Sequence, residues 1–175
     1  MWYVIQVKAT RELTVVEKCR KFVIVPGEDV FAMKSERMFK IKGEWRLREE
    51  VSFQKYIFAV TPDTDDFRIR LRNVKELANM LHVGDEVVPI RQEEEELLRD
   101  LGGDEHVIRY STGFVTGDRL MITEGPLTGH EGQVKWIDRH QRLVGIETEL
   151  IGQKITIRLG CEILKKLPAC MHKIM

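Results

Sequence analysis

The sequence predicts an α+β chain, in which an N-terminal antiparallel sheet with helices is followed by a small β-barrel. Three observations predict it. Residues 1–101 mix strand-like alternation with helical periods, in the order β-α-β-β-β followed by helical segments. Gly102-Gly103-Asp104-Glu105 then interrupts the pattern. From Gly113 to Leu164 no helical period survives, and glycines at 117, 125, 129, 132, 145, 152 and 160 punctuate short alternating runs. The expected division is therefore 1–103, a linker over 104–115, and a second domain over 116–170. A closed barrel suits so short a domain, because it leaves few strand edges unpaired.

Each element has its own signal. Trp2 to Val7 is rich in β-formers. Thr10 is placed to cap a helix, with Glu12 in its first turn. Leu13, Val16, Cys19 and Val23 give that helix one apolar face, and Val25-Pro26-Gly27 ends it. Val30 to Ile41 reads as a strand turning at Lys42-Gly43 into a second, Trp45 to Val51. Phe53 to Val60 is the strongest strand, stopped by Thr61-Pro62-Asp63. Asp66–Leu71 and Val74–Leu81 read as helical. After Pro89, Glu93 to Glu96 supply an acidic first turn and Leu97, Leu98 and Leu101 an apolar stripe, with Gly102-Gly103 as the stop.

Composition removes several functional classes. The 175 residues carry 28 Lys plus Arg and 28 Asp plus Glu, so the net charge is zero. That excludes a wholly basic coat protein and an acidic disordered chain. No run approaches the roughly 18–20 apolar residues of a membrane span. The N-terminal run reads as a strand rather than a secretory leader, and a cytoplasmic location is expected. Cys19, Cys161 and Cys170 lack the paired spacing of a disulfide framework or zinc ribbon, and the five histidines form no ligand set. There is no phosphate-binding Gly-Lys-Ser/Thr loop and no Gly-x-Ser-x-Gly elbow. No enzyme, metal or cofactor is expected.

The informative run is Gly117-Asp118-Arg119-Leu120-Met121-Ile122-Thr123-Glu124-Gly125-Pro126-Leu127-Thr128-Gly129-His130-Glu131-Gly132-Gln133-Val134. Gly-Asp before a strand, Gly-Pro-Leu-x-Gly, and Gly-x-Val a turn later resemble the KOW motif of NusG-type transcription factors. Gly125-Pro126 suits a turn that needs one unrestricted and one fixed φ. The N-terminal half is similar too: Trp2-Tyr3-Val4-Ile5-Gln6 looks like the family's first strand. Phe53-Gln54-Lys55-Tyr56-Ile57-Phe58 stands where the family usually carries Phe-Pro-Gly-Tyr-Val-Phe, with Gln54-Lys55 in place of Pro-Gly.

The resemblance implies a NusG-type N-terminal domain joined to a five-stranded SH3-like KOW barrel. It implies that the first domain binds the clamp helices of bacterial RNA polymerase, bridges the DNA cleft and reduces pausing, with non-template DNA as a further neighbour. Trp2, Phe53, Tyr56 and Phe58 are then the candidate polymerase-binding residues. Period two puts Tyr56 and Phe58 on one strand face, where they could equally be ordinary core.

In housekeeping members the last KOW hairpin presents an aromatic and, two residues on, an Arg to the termination factor Rho or to a ribosomal protein. Ile151 and Gln153 stand there in this chain. Basic residues are offered instead: Lys135, Arg139, His140, Arg142, Lys154, Arg158, Lys165 and Lys166 are the candidate RNA-binding set, the alternative being a solvated face. Recognition of a hairpin by shape is expected rather than base stacking.

Val107-Ile108-Arg109-Tyr110-Ser111-Thr112-Gly113, Ile122-Thr123-Glu124-Gly125-Pro126-Leu127 and Lys135-Trp136-Ile137-Asp138-Arg139-His140 resemble the LoaP branch of the family. That branch implies a monomeric, operon-specific processive antiterminator whose KOW domain binds a leader RNA hairpin. The alternatives are a general elongation factor coupled to Rho or the ribosome, and a ribosome-associated KOW protein. The strand-favouring Val134, Trp136, Val144, Ile146, Ile155 and Ile157 argue against a KOW segment stored as a helical hairpin.

Overall fold

The computed structural model describes residues 1–167. The N-terminal elements are β1 (Tyr3–Val7), α1 (Glu12–Phe22), β2 (Asp29–Phe31), β3 (Lys34–Ile41), β4 (Glu44–Val51), β5 (Tyr56–Val60), α2 (Thr64–Leu71), β6 (Ala78–Met80), β7 (His82–Val83), β8 (Glu86–Val87) and α3 (Gln92–Gly102). Then come β9 (Val107–Ile108), β10 (Ser111–Thr116), β11 (Arg119–Glu124), β12 (Val134–Asp138), β13 (Leu143–Leu150) and β14 (Gln153–Leu167). A 3-10 turn, Glu131–Gln133, precedes β12.

The N-terminal sheet has the order β2-β5-β1-β6. Alternation gives it two apolar faces. Tyr3, Ile5, Val7, Ile57 and Ala59 pack with Val15, Val16 and Cys19 of α1 and Phe67 and Leu71 of α2. Trp2, Val4 and Phe58 face the other way, toward Phe31, Phe53 and the α3 residues Leu98 and Leu101. That second cluster runs without a break into Val144, Ile146, Ile157 and Leu159 of the C-terminal sheet.

Local chemistry sets the boundaries. The Asp63 carboxylate accepts from the amides of Asp65 and Asp66 and starts α2. α3 has its acidic first turn and ends at Gly103, where φ is +59°. Three expectations are corrected. Thr10 does not cap α1: it lies in the left-handed region at φ +68°, and its own amide is bound by the Glu12 carboxylate. Leu13 is exposed and Val15 takes its place on the buried face. Val74–Leu81 is not a helix, because residues 78–80 pair with the free edge of β1 and the Leu81 amide donates to the Val4 carbonyl. Saturating that edge satisfies backbone groups that a short helix would leave at its ends.

The C-terminal sheet has the order β11-β10-β14-β13-β12. β10 runs parallel to β14 and the remaining pairs are antiparallel. Residues 104–115 are fastened at both ends. β9 pairs with β3, the Lys34 amide donates to the His106 carbonyl, and β10 begins at Ser111. Cys19 and Cys161 are free and buried, and burial pushes each thiol up to about 11. Cys170, His172 and the end of the expected second domain, 168–170, lie outside the described residues.

Candidate docking patch and nucleic-acid interface

The structure assembles the four aromatic candidates of the N-terminal half into one cluster. Trp2 and Phe58 ring centroids are 5.6 Å apart, and Phe53 meets Phe58 edge-on at 5.4 Å. Phe31 completes the group, 4.8 Å from Trp2. Trp2, Phe53 and Phe58 are nevertheless fully buried, and only Tyr56 reaches the surface. The aromatic group is therefore roofed over, with Tyr56 at its open edge. The roof consists of Leu98 and Leu101 from α3 and the His106 ring, which stacks on Phe31 at 3.6 Å. Arg99 lies over the Trp2 ring at 4.9 Å. Burial holds the His106 pKa below its ordinary value of 6.5, and its buried Nδ1 has no hydrogen-bond partner among the described residues.

The Gln54-Lys55 departure from the family's Pro-Gly has a structural answer. Lys55 stands in the glycine position and adopts φ +71°. Its amide donates to the buried Glu12 carboxylate at 2.8 Å, which anchors the strained turn to the start of α1.

The edge of the aromatic patch touches the C-terminal sheet. The Tyr56 hydroxyl donates to Gln153 Oε1 at 2.9 Å. Ile151, beside it in the β13–β14 turn, packs against the shared core at φ +47°, a costly conformation for a β-branched residue. Thr148 bonds the Glu94 carboxylate, and Arg91 lies 3.4 Å from Glu149. On the other side Arg142 lies 4.5 Å over the Trp45 ring and 3.5 Å from Glu162. Gly160 abuts the Glu36 carbonyl, with no room for a Cβ.

Among the candidate RNA-binding residues, Lys135, Arg139, His140, Lys154 and Arg158 are exposed. Lys154 lies 3.6 Å from Glu147. Arg142 is the exception, half-buried and engaged by Trp45 and Glu162. Residues 138–142 form the turn between β12 and β13, with Asp138 accepting from the Gln141 amide. The side chains of Lys165 and Lys166 lie outside the described part. Lys154, Thr156 and Arg158 project together from β14, while Ile157 is buried, as alternation requires.

One surface residue escaped the sequence reading. Trp136 of β12 is 37% exposed and its indole lies across Gly145 of β13. Gly145 in turn faces Arg158 across the β13–β14 ladder. A glycine inside a strand signals close approach by a neighbour, and that was the available clue.

Comparison with known proteins agrees with this architecture. The family model described as "Transcription termination factor nusG" matches residues 1–99. The transcription termination/antitermination protein NusG of Pasteurella multocida (strain Pm70) is 23% identical over 172 residues, covering 90% of each chain. A solved structure titled "Domain interaction in Thermotoga maritima NusG" is similar in fold, with a TM-score of 0.54, 22% identity, and coverage of 91% of this chain and 92% of that one. Since the family model spans more than half of its length, the chain belongs to the NusG family of transcription factors, a family that generally interacts with RNA polymerase.

Proposed function

We propose that this NusG-family chain is an operon-specific processive antiterminator of the LoaP type. Its N-terminal domain docks on the clamp helices of RNA polymerase, and its C-terminal sheet, closed as a KOW barrel, binds a hairpin in the leader RNA. The observation that carries this reading is the exposed basic group on the C-terminal sheet. Lys135, Arg139 and Arg158 have no carboxylate within ion-pair distance among the described residues. Such cations are available to phosphates. The hairpin that couples housekeeping relatives to Rho or the ribosome supports the reading from the other side. It carries Ile151 and Gln153 here, and both are turned to the chain's own core or to Tyr56.

Purified protein should lengthen transcripts past a terminator only on templates that encode the leader hairpin. Equal read-through on a template lacking it would refute operon specificity. Measured binding of Rho or a small-subunit ribosomal protein would favour the general elongation factor instead. Replacing Lys135, Arg139, Lys154 and Arg158 together with Ala should abolish hairpin affinity, and undiminished affinity would place the RNA on another face.

A further inference from the structure

Between the β3–β4 hairpin and β14 lies an open cleft of about 450 Å³. Its lining includes Arg37, Glu50 and Ser52 from one side and Thr156 and Arg158 from the other. The two guanidinium groups lie close enough for Arg158 to disfavour the charge on Arg37, although burial is the larger influence on that residue. Glu50 bonds Arg37 through Nη1 and cancels one of the two charges. The cleft therefore keeps one net positive charge from these three groups. Arg37 Nε and Ser52 Oγ are buried and have no hydrogen-bond partner among the described residues. A cleft lined by guanidinium groups with a net positive charge favours an oxyanion.

The Trp136 platform adjoins this cleft. Its indole covers Gly145, and Arg158 is the direct cross-strand neighbour of Gly145. An aromatic surface and a guanidinium group therefore stand side by side on exposed strands. A nucleotide has the same layout, a flat base beside an anionic phosphate. A base locked in a duplex cannot reach a protein ring, so the nucleotide must be unpaired.

We infer that Trp136 and Arg158 hold one unpaired nucleotide of the bound RNA, its base against the indole and its phosphate between Arg158 and Arg37. This inference rests on the proposed RNA-binding function and departs from recognition by shape alone, adding one stacked base as a specificity determinant.

The test uses the full chain and two probes. The first is adenosine 5′-monophosphate, with inorganic phosphate and adenosine as partial probes, followed by NMR of the Trp136 indole N–H and the Arg158 Nε–H. The nucleotide should shift both signals, phosphate only the arginine, and adenosine only the indole. The second is a pool of RNA hairpins with a constant stem and a randomised loop. Trp136→Leu should weaken pool binding about 5- to 150-fold, the range for losing one stacked base. Trp136→Phe should keep most of the affinity. Arg158→Gln, at an exposed position that leaves folding intact, should weaken binding and remove the phosphate shift. A pool that binds the wild type, Trp136→Leu and Arg158→Gln equally well would overturn this inference and leave RNA binding standing. A pool that does not bind the wild type would overturn RNA binding itself.

Discussion

Gly160→Ala should part the two halves of the molecule. Gly160 sits in β14 where it meets β3. A Cβ there would collide with the Glu36 carbonyl and come within 2.5 Å of the Tyr110 ring. Ordinary carbon–oxygen contact needs roughly 3.3 Å, so the strands must separate by about 1 Å. The obstacle is backbone, which a rotamer change cannot relieve. Overpacking of this kind costs about 1–3 kcal/mol. If separation relieves it, the closed arrangement loses about 5- to 150-fold in population. The assay is ¹⁵N relaxation of the 20.4-kDa chain. The wild type should tumble as one body, whereas Gly160→Ala should show two correlation times. Because Tyr56 borders the C-terminal sheet, the same variant should bind a clamp-helix fragment of polymerase more tightly. Gly132→Ala is the control, as a Cβ there meets nothing. A single tumbling time in Gly160→Ala, with unchanged fragment affinity and an unchanged unfolding midpoint, would refute the reasoning.

Four further outcomes follow from named contacts. Lys55→Gly should stabilise the protein by up to about 1 kcal/mol in chemical denaturation, since a side chain at φ +71° costs about 1–2 kcal/mol and glycine's extra chain entropy takes part of that back. Tyr56→Phe loses the bond to Gln153, worth about 0.5–1.5 kcal/mol, and should bind the clamp-helix fragment more tightly, whereas Tyr56→Ala should bind it more weakly. His106 has a folded pKa below 6.5, so the unfolded chain takes up its proton first and stability falls as the pH drops below about 6.5. Asp29, Arg99, Arg20 and Asp104 also act on that ring, and His106→Gln should flatten the fall in urea titrations between pH 5 and 7. Three or four phosphate contacts imply a log–log salt slope of about −3 for RNA binding, and a slope near −8 would require a far larger basic face.

What the sequence made legible is the local part of the fold. α3 declared itself through its acidic turn, its leucine stripe and its glycine stop. The Lys42-Gly43 turn and the glycine-punctuated short strands after Gly113 were equally readable, because each depends on residues close in the chain. The failures are long-range. Residues 78–80 became a strand because β1 offered them an edge, which no local period reveals. Tyr56 and Phe58 could be placed on one strand face by period two, whereas Trp2 and Phe53 joined them only through the family resemblance. Whether that face is open depended on where α3 and His106 dock, and that is set by tertiary packing. No local pattern marks Trp136, because a platform needs a neighbour without a side chain, and Gly145 is nine residues away on another strand.

The zero net charge also changes meaning once the partners are known. Residues 1–110 carry 19 basic and 21 acidic groups and residues 111–175 carry 9 and 7, a division too even to mark an interface. The structure shows where many of the cations are already engaged. Arg109 is held by Glu36 and Glu105, Arg37 by Glu50, Arg91 by Glu94 and Glu149, and Arg142 by Glu162 and the Trp45 ring. These pairs fasten the chain to itself, and two of them, Arg91 with Glu149 and Arg142 with the Trp45 ring, fasten its two halves together. Arg142, a residue expected to touch RNA, belongs to that internal set, so its removal should act on domain packing before it acts on RNA. Lys135, Arg139 and Arg158 remain outside it, Lys135 next to Trp136 in the chain and Arg158 across Gly145 from it. A neutral chain can therefore present a small cationic surface, because pairing elsewhere leaves those few charges uncompensated where the aromatic ring is exposed.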